Sequence, residues 1–220
     1  IDSAPDIRSV VNRLLQDIDL PALPLAQVRE FIGEGSAVLI QRVMAARDID
    51  GGAQRQEELL AGFLSYYETM VGEAVSYPHV DRILLDLKAN GHRLGLCTNK
   101  AEGPTRAVLA HKGLDTFFDG IIAGGMIASR KPEPDMLLTL AGELGSGPLL
   151  YVGDSETDAE TARQAGVPFA LFSGGYRKSP VSSIHHDWVF DSFNELPGIV
   201  AQAERCGDQS TRVLPGTGIG

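Results

Sequence analysis

The chain has 220 residues, which at about 150 residues per domain is one large domain or one domain with an insertion. Hydrophobic residues make up 43% and charged residues 22%, a globular balance that excludes an intrinsically disordered chain. Lys and Arg total 19 against 29 Asp and Glu, and the net charge of −10 argues against a nucleic-acid binder, which needs a basic footprint.

No apolar run approaches the roughly 20 residues of a membrane span, so no membrane partner is expected. Ile1 to Asp6 carries neither a basic nor an apolar leader region, so no signal peptide is read there. Two cysteines, Cys97 and Cys206, make no disulfide framework, and a reducing, cytoplasmic setting is expected.

The first third reads as helical. Ile7, Val10, Val11, Leu14, Leu15 and Ile18 recur at helical spacing, with Ser3 and Pro5 as start signals. Gly33 and Gly35 break that pattern. A second helix is predicted from Ser36 through Met44, and Gly51-Gly52 makes a loop. A third amphipathic stretch carries Leu59, Leu60, Phe63, Leu64 and Tyr67. No strand is predicted before about residue 92.

From Tyr77-Pro78 the pattern alternates. A helix through Val80, Ile83, Leu84 and Leu87 ends at Gly91. Short apolar runs follow at Arg93–Cys97, Gly120–Ala123, Leu149–Val152, Phe169–Phe172 and Trp188–Phe190. Helical stretches lie between them near 103–113, 134–145 and 155–166. Continuous apolar strands alternating with helices predict a parallel α/β sheet covered on both faces. The expected plan is a helical cap over residues 1–76, with 1–4 as a linker, then an α/β core over 77–207 and a loose tail over 208–220.

In an open α/β sheet, function sits at the carboxyl ends of the strands. Thr98 and Asn99 follow the first apolar run. A hydroxyl and free amides there could cradle a phosphate, or simply cap a helix. Lys131 lies in Ser129-Arg130-Lys131-Pro132-Glu133-Pro134-Asp135, where two prolines stiffen the loop. It is either a fixed cation for an anionic substrate or part of a solvated basic loop. Gly153-Asp154 follows the third run, and Asp158 lies four residues on, on the same side of a first helical turn. Paired carboxylates suit Mg²⁺, but they also serve as helix caps and dipole partners.

Order and placement together make the chain resemble the haloacid dehalogenase-like phosphohydrolases. Thr98 matches motif II, Lys131 motif III, and Gly153-Asp154 with Asp158 motif IV. Tyr77-Pro78 through Asn99, Lys131 to Asp135 and Ile1 to Ile7 look like the phosphoglycolate phosphatase branch. Phe31-Ile32-Gly33-Glu34-Gly35 resembles a loop of that branch's helical cap. The resemblance implies a doubly wound, Rossmann-like core and Mg²⁺-dependent hydrolysis of a small phosphorylated metabolite through an aspartyl-phosphate. It implies that Lys131 and the Thr98 hydroxyl, with the Asn99 amide, hold the phosphate. Asp154 would hold metal, and Asp158 would orient the metal shell or Lys131. Gly33 and Gly35 would sit in a substrate-reading loop of a mobile cap. Arg42 could meet a substrate carboxylate or be merely solvated.

The family's first motif, a strand ending in Asp-x-Asp-Gly-Thr, is missing ahead of Ile1. Asp2 and Asp6 follow no apolar strand and do not replace it. Without that nucleophile the chain as it stands is expected to be inactive, as a truncated form of a normal enzyme. Its absence is also expected to leave two neighbouring strands unpaired. Val213-Leu214 could fill that place, although the run is short and interrupted by Pro. Two alternatives stay open: a phosphosugar mutase or another small-metabolite phosphatase, and a catalytically silent binding or regulatory protein. The five histidines (His79, His92, His111, His185 and His186) are read as surface or loop residues. Cys97 is read as a packed thiol, Trp188 as packing in a late strand, and the chain as a monomer or small homo-oligomer.

Overall fold

A computed structural model describes residues 1–210, with side chains to Cys206. Four helices come first: α1 (Ala4–Gln16), α2 (Leu25–Phe31), α3 (Ser36–Ala46) and α4 (Gly52–Thr69). Helix α1 starts with Pro5 in its first turn, where a missing N–H costs nothing. Its buried stripe of Ile7, Val10, Val11, Leu14 and Leu15 meets Val28, Ile40, Val43, Phe63 and Tyr67 in one apolar cluster. Helix α2 lies where no element is predicted. It is only seven residues long and buries Val28 alone, so its sequence carries too little periodicity to announce it.

Next come α5 (Val80–Ala89), β1 (Gly95–Ala101), α6 (Glu102–Lys112), β2 (Gly120–Gly124) and α7 (Asp135–Leu144). They are followed by β3 (Tyr151–Gly153), α8 (Glu156–Ala165), β4 (Phe169–Phe172), β5 (Trp188–Phe190) and α9 (Leu196–Ser210). Every strand pair is parallel, and the chain is α/β. Helix α9 runs three residues into the segment expected as tail. Val213-Leu214 lies outside the described residues.

The strands form two sheets rather than one. β1 pairs with β2, while β3, β4 and β5 form a separate three-stranded sheet in that order. Among the described residues, β1 and β3 thus each have a strand neighbour on one side only, as the sequence led one to expect. A cavity of about 620 Å³ is lined by Leu94 and Leu96 on the β1 side and by Leu150 and Val152 on the β3 side. β1 is longer than predicted and carries Thr98 and Asn99 inside the strand, with a register shift against β2 between Thr98 and Ala101.

The start of the chain lies beside the segment that leads from α4 to α5. Asp2 and Val75 exchange backbone hydrogen bonds of 2.7 and 3.0 Å as an antiparallel bridge. Asp6, 1% exposed, accepts through Oδ1 from the amides of Gly72, Glu73 and Ala74 at 3.1, 2.6 and 2.9 Å. One carboxylate oxygen thereby satisfies three amides that no helix or sheet takes up. Replacing Asp6 by Ala should lower unfolding free energy by about 3 kcal/mol, since hydrogen bonds to charged groups are each worth roughly 1.5–3 kcal/mol. Denaturant titration reads this, and a loss under about 1 kcal/mol would mean that water replaces the carboxylate.

Candidate active site

The carboxyl ends of β1 and β3 bring Lys131 and Asp158 together. Lys131 Nζ donates to Asp158 Oδ1 at 2.6 Å, to Tyr151 Oη at 3.1 Å and to the Cys97 carbonyl at 3.2 Å. The two charged side chains are only 11% and 6% exposed. Burial works against both charges, but each outweighs it for the other. Asp158 is held down at about 2, with help from Ser155 and Tyr151, and Lys131 is held well above the ordinary lysine range.

Asp158 is fully engaged. Its Oδ1 also accepts from Tyr151 Oη at 2.8 Å, and its Oδ2 accepts from Ser155 Oγ at 2.6 Å and the Asp154 amide at 3.1 Å. Ser155 is the N-cap of α8 and closes the arrangement by accepting from the Asp158 amide. Glycine before the acid has a steric reason: a Cβ on Gly153 would lie 2.4 Å from Asp158 Cβ. Spacing alone put Asp154 and Asp158 forward as a metal-binding pair. Geometry gives Asp158 to the lysine instead.

Asn99 fixes the loop that carries the lysine. Its Nδ2 donates to the Lys131 carbonyl and its Oδ1 accepts from the Lys131 amide, both at 2.9 Å. The side chain is therefore a clamp, while the Thr98 hydroxyl only accepts from the Lys100 amide at 3.1 Å. Gly33 and Gly35 have positive φ of 128° and 90°. Both line the same cavity as Thr98, Asn99, Lys131 and Asp154. A Cβ on Gly35 would face the Asn99 carbonyl at 3.7 Å, so the cap loop lies over the end of β1. Arg42 is not free for a ligand, because it pairs with Glu34 and donates to the Phe31 carbonyl at 3.0 Å.

Asp154 stands apart from that ion pair. Burial and the neighbouring Asp158 push its carboxyl up to about 6. Oδ2 accepts from the Tyr176 amide at 3.1 Å. Among the described residues, no three His, Cys, Asp or Glu side chains gather as a metal site. Asp154 alone therefore does not make a Mg²⁺ site, which needs several oxygen ligands. The sequence holds one Asp-x-Asp-Gly, Asp48-Ile49-Asp50-Gly51. Its two carboxylates are exposed between α3 and α4 and do not line the cavity.

Three other residues at the site drew no attention from sequence alone: Tyr151, Ser155 and Tyr176. Tyr151 is the one with a signal, since a tyrosine within a buried strand needs a partner for its hydroxyl. His79, His111 and His185 are exposed, and His92 and His186 are half-buried. Cys97 is half-buried with its thiol pushed up by burial, and Trp188 donates to Gln202 at 3.0 Å.

Known proteins resemble this chain in sequence and fold. Residues 1–172 match the haloacid dehalogenase-like hydrolase family. The chain is 44% identical over 201 residues to a phosphoglycolate phosphatase of Cereibacter sphaeroides, covering 91% of this chain and 92% of that protein. It is 33% identical over 200 residues to a phosphoglycolate phosphatase of Caulobacter vibrioides, covering 90% and 84%. A crystal structure described as a predicted phosphoglycolate phosphatase from Haemophilus somnus 129pt superposes with a TM-score of 0.83 at 30% identity, covering 90% of this chain and 92% of that one. The chain belongs to the haloacid dehalogenase-like hydrolases.

Replacing Asp158 by Asn should cost about 3–5 kcal/mol of stability, because it strands a buried lysine. The sign of the pH dependence follows from the lowered carboxyl. Its contribution is complete above the unfolded value of about 4 and is lost as pH falls toward 2. Urea titrations from pH 7 to 2.5 on both proteins check this. The difference between them should shrink at the acid end, and a constant difference would rule the ion pair out as its cause.

Proposed function

We propose that this chain carries the phosphate-binding and substrate-reading parts of a phosphate-monoester hydrolase, with 2-phosphoglycolate as substrate. The observation behind this reading is the buried Lys131, fixed by Asp158 and Asn99 and lining one cavity with Thr98, Gly33 and Gly35. A rigid cation with a hydroxyl and amides at a strand end suits the equatorial oxygens of a transferring phosphoryl group. The substrate is chosen from the relatives, which are named phosphoglycolate phosphatases over nine-tenths of this chain. Residues 1–76 are the cap, closing on the core of 77–207 and excluding water.

The described residues contribute binding, orientation and electrostatics. Asp158 keeps Lys131 charged and in place without touching substrate. Lys131 neutralises the phosphoryl oxygens, and Thr98 donates its hydroxyl to them. In the full reaction a carboxylate oxygen forms a bond to phosphorus and the ester oxygen leaves, taking up a proton. Water then attacks the phosphoryl group and restores the carboxylate. That nucleophile has no counterpart in the sequence given. The reading puts it between β1 and β3, each of which has one edge without a strand partner among the described residues. Mg²⁺ belongs to the same reading, with Asp154 as one ligand beside carboxylates of that strand.

The second reading is a silent binding protein. One comparison separates the two. The chain is assayed with 2-phosphoglycolate and Mg²⁺ as it stands and with an apolar strand ending in Asp-x-Asp-Gly-Thr joined ahead of Ile1. The extended protein should be faster by about 10³-fold or more, the scale of losing a nucleophile. Calorimetry should show Mg²⁺ held no tighter than about millimolar by the chain alone and at least about tenfold tighter after extension. An extended protein inactive on every phosphate monoester would sink the hydrolase reading and leave the binding protein.

A further inference from the structure

Three Lys or Arg side chains line the cavity between cap and core, and their partners differ. Lys131 is neutralised by Asp158. Arg93 lies ahead of β1, and donates to the Leu144 carbonyl at 2.6 Å. Lys100 lies in the carboxyl-end half of β1, two residues past Thr98, and no ion pair among the described residues includes it. Its hydrogen-bond partner is the Tyr67 hydroxyl, and its ammonium sits 4.0 Å from the centroid of that ring. Tyr67 is a cap residue on α4. The acid whose charge acts on Lys100 is Asp6, whose Oδ1 is taken up by three linker amides and whose Oδ2 has no hydrogen-bond partner among the described residues.

A buried ammonium facing only a neutral phenol is poorly stabilised. Burial draws Lys100 down to about 7, with Asp6 opposing, so an anion arriving beside it gains a charge-assisted partner. The other cations of the cap face are already committed: Arg29 pairs with Asp2 and Arg42 with Glu34.

We propose that Lys100 is a specificity-determining residue, whose ammonium receives the carboxylate of a substrate's leaving group while Lys131 and Thr98 hold its phosphate. This rests on the hydrolase reading above and deepens it, assigning the second anionic group of an acidic phosphate monoester to a named side chain. The geometry is suitable because Thr98, Asn99 and Lys100 are consecutive, line one cavity and lie under the Gly33–Ser36 loop. Tyr67 then holds the lysine at the joint between cap and core, so carboxylate recognition and cap position share one contact.

The test uses the extended, active protein and its Lys100→Met and Lys100→Arg variants. Each is assayed on 2-phosphoglycolate and on ethyl phosphate, which has a methyl group in place of the carboxylate. In Lys100→Met, kcat/KM for 2-phosphoglycolate should fall about 10- to 100-fold, the worth of one charged hydrogen bond, mostly through KM. Ethyl phosphate should change less than about threefold, the spread expected where no contact is lost. Lys100→Arg should recover part of the preference. Equal losses on both substrates, or a preference that survives Lys100→Met, would overturn the assignment while leaving the hydrolase reading intact. A wild-type protein with no preference for 2-phosphoglycolate would overturn that substrate and this inference together. A second readout needs no turnover. In the present chain, carbon-13 NMR of labelled lysine should show the Lys100 Cε signal moving with 2-phosphoglycolate and staying put with inorganic phosphate. If it stays put with both, or moves equally with both, the assignment is wrong.

Discussion

Burying a lysine ammonium is costly without a counter-charge, and the surroundings of Lys131 are arranged around that constraint. Lys131 comes from a loop, Asp158 from helix α8, Tyr151 from β3, and the Cys97 carbonyl from β1. One ion pair therefore joins four segments distant in sequence, and it crosses between two sheets that share no backbone ladder. Removing either charge leaves the other exposed to the same low-dielectric surroundings. The surrounding hydrogen bonds give Asp158 no spare acceptor to lend to a ligand.

Where the sheets part, the molecule reverses the usual order of an α/β core. Central parallel strands are normally the most enclosed part of such a fold. Here β1 is half-buried along most of its length, and the fully buried strand is β4. The best-packed apolar cluster belongs instead to the first four helices, where Val10, Val11, Val28, Ile40 and Val43 are inaccessible to solvent. The chain thus keeps a well-formed helical unit beside two short sheets, each with an unpartnered edge.

How much of this is legible in the residues depends on range. The apolar runs at 120–123, 169–172 and 188–190 became strands within a residue of their predicted ends, because each is bounded by glycine or polar residues. The run at 149–152 shortened to Tyr151–Gly153, since Leu149 and Leu150 line the cavity without a partner strand. The i, i+4 spacing of Asp154 and Asp158 suggested one helical turn for both, but only Asp158 lies in α8, while Asp154 precedes its N-cap Ser155. Nor could the spacing say which one a lysine 27 residues upstream would claim. Asn99 is similar: its residue type suggested a cap or a phosphate contact, but a tertiary clamp on Lys131 is what it makes. Lys100 was invisible for the same reason, because its surroundings come from α1 and α4. Family motifs supplied what local pattern could not, by naming residues that meet only after folding.

The joint between the first four helices and the rest of the chain has a mechanical meaning. Two segments bridged at Asp2 and Val75, and tied again where Asp6 gathers three amides, form a narrow ribbon. A ribbon bends across its flat face and resists sliding of one edge past the other. The first four helices are thus fastened through a joint that favours one direction of bending, and the Gly33–Ser36 loop carried by them lies over the end of β1. Its placement there depends on a fastening that lies in other residues than the Lys131–Asp158 pair.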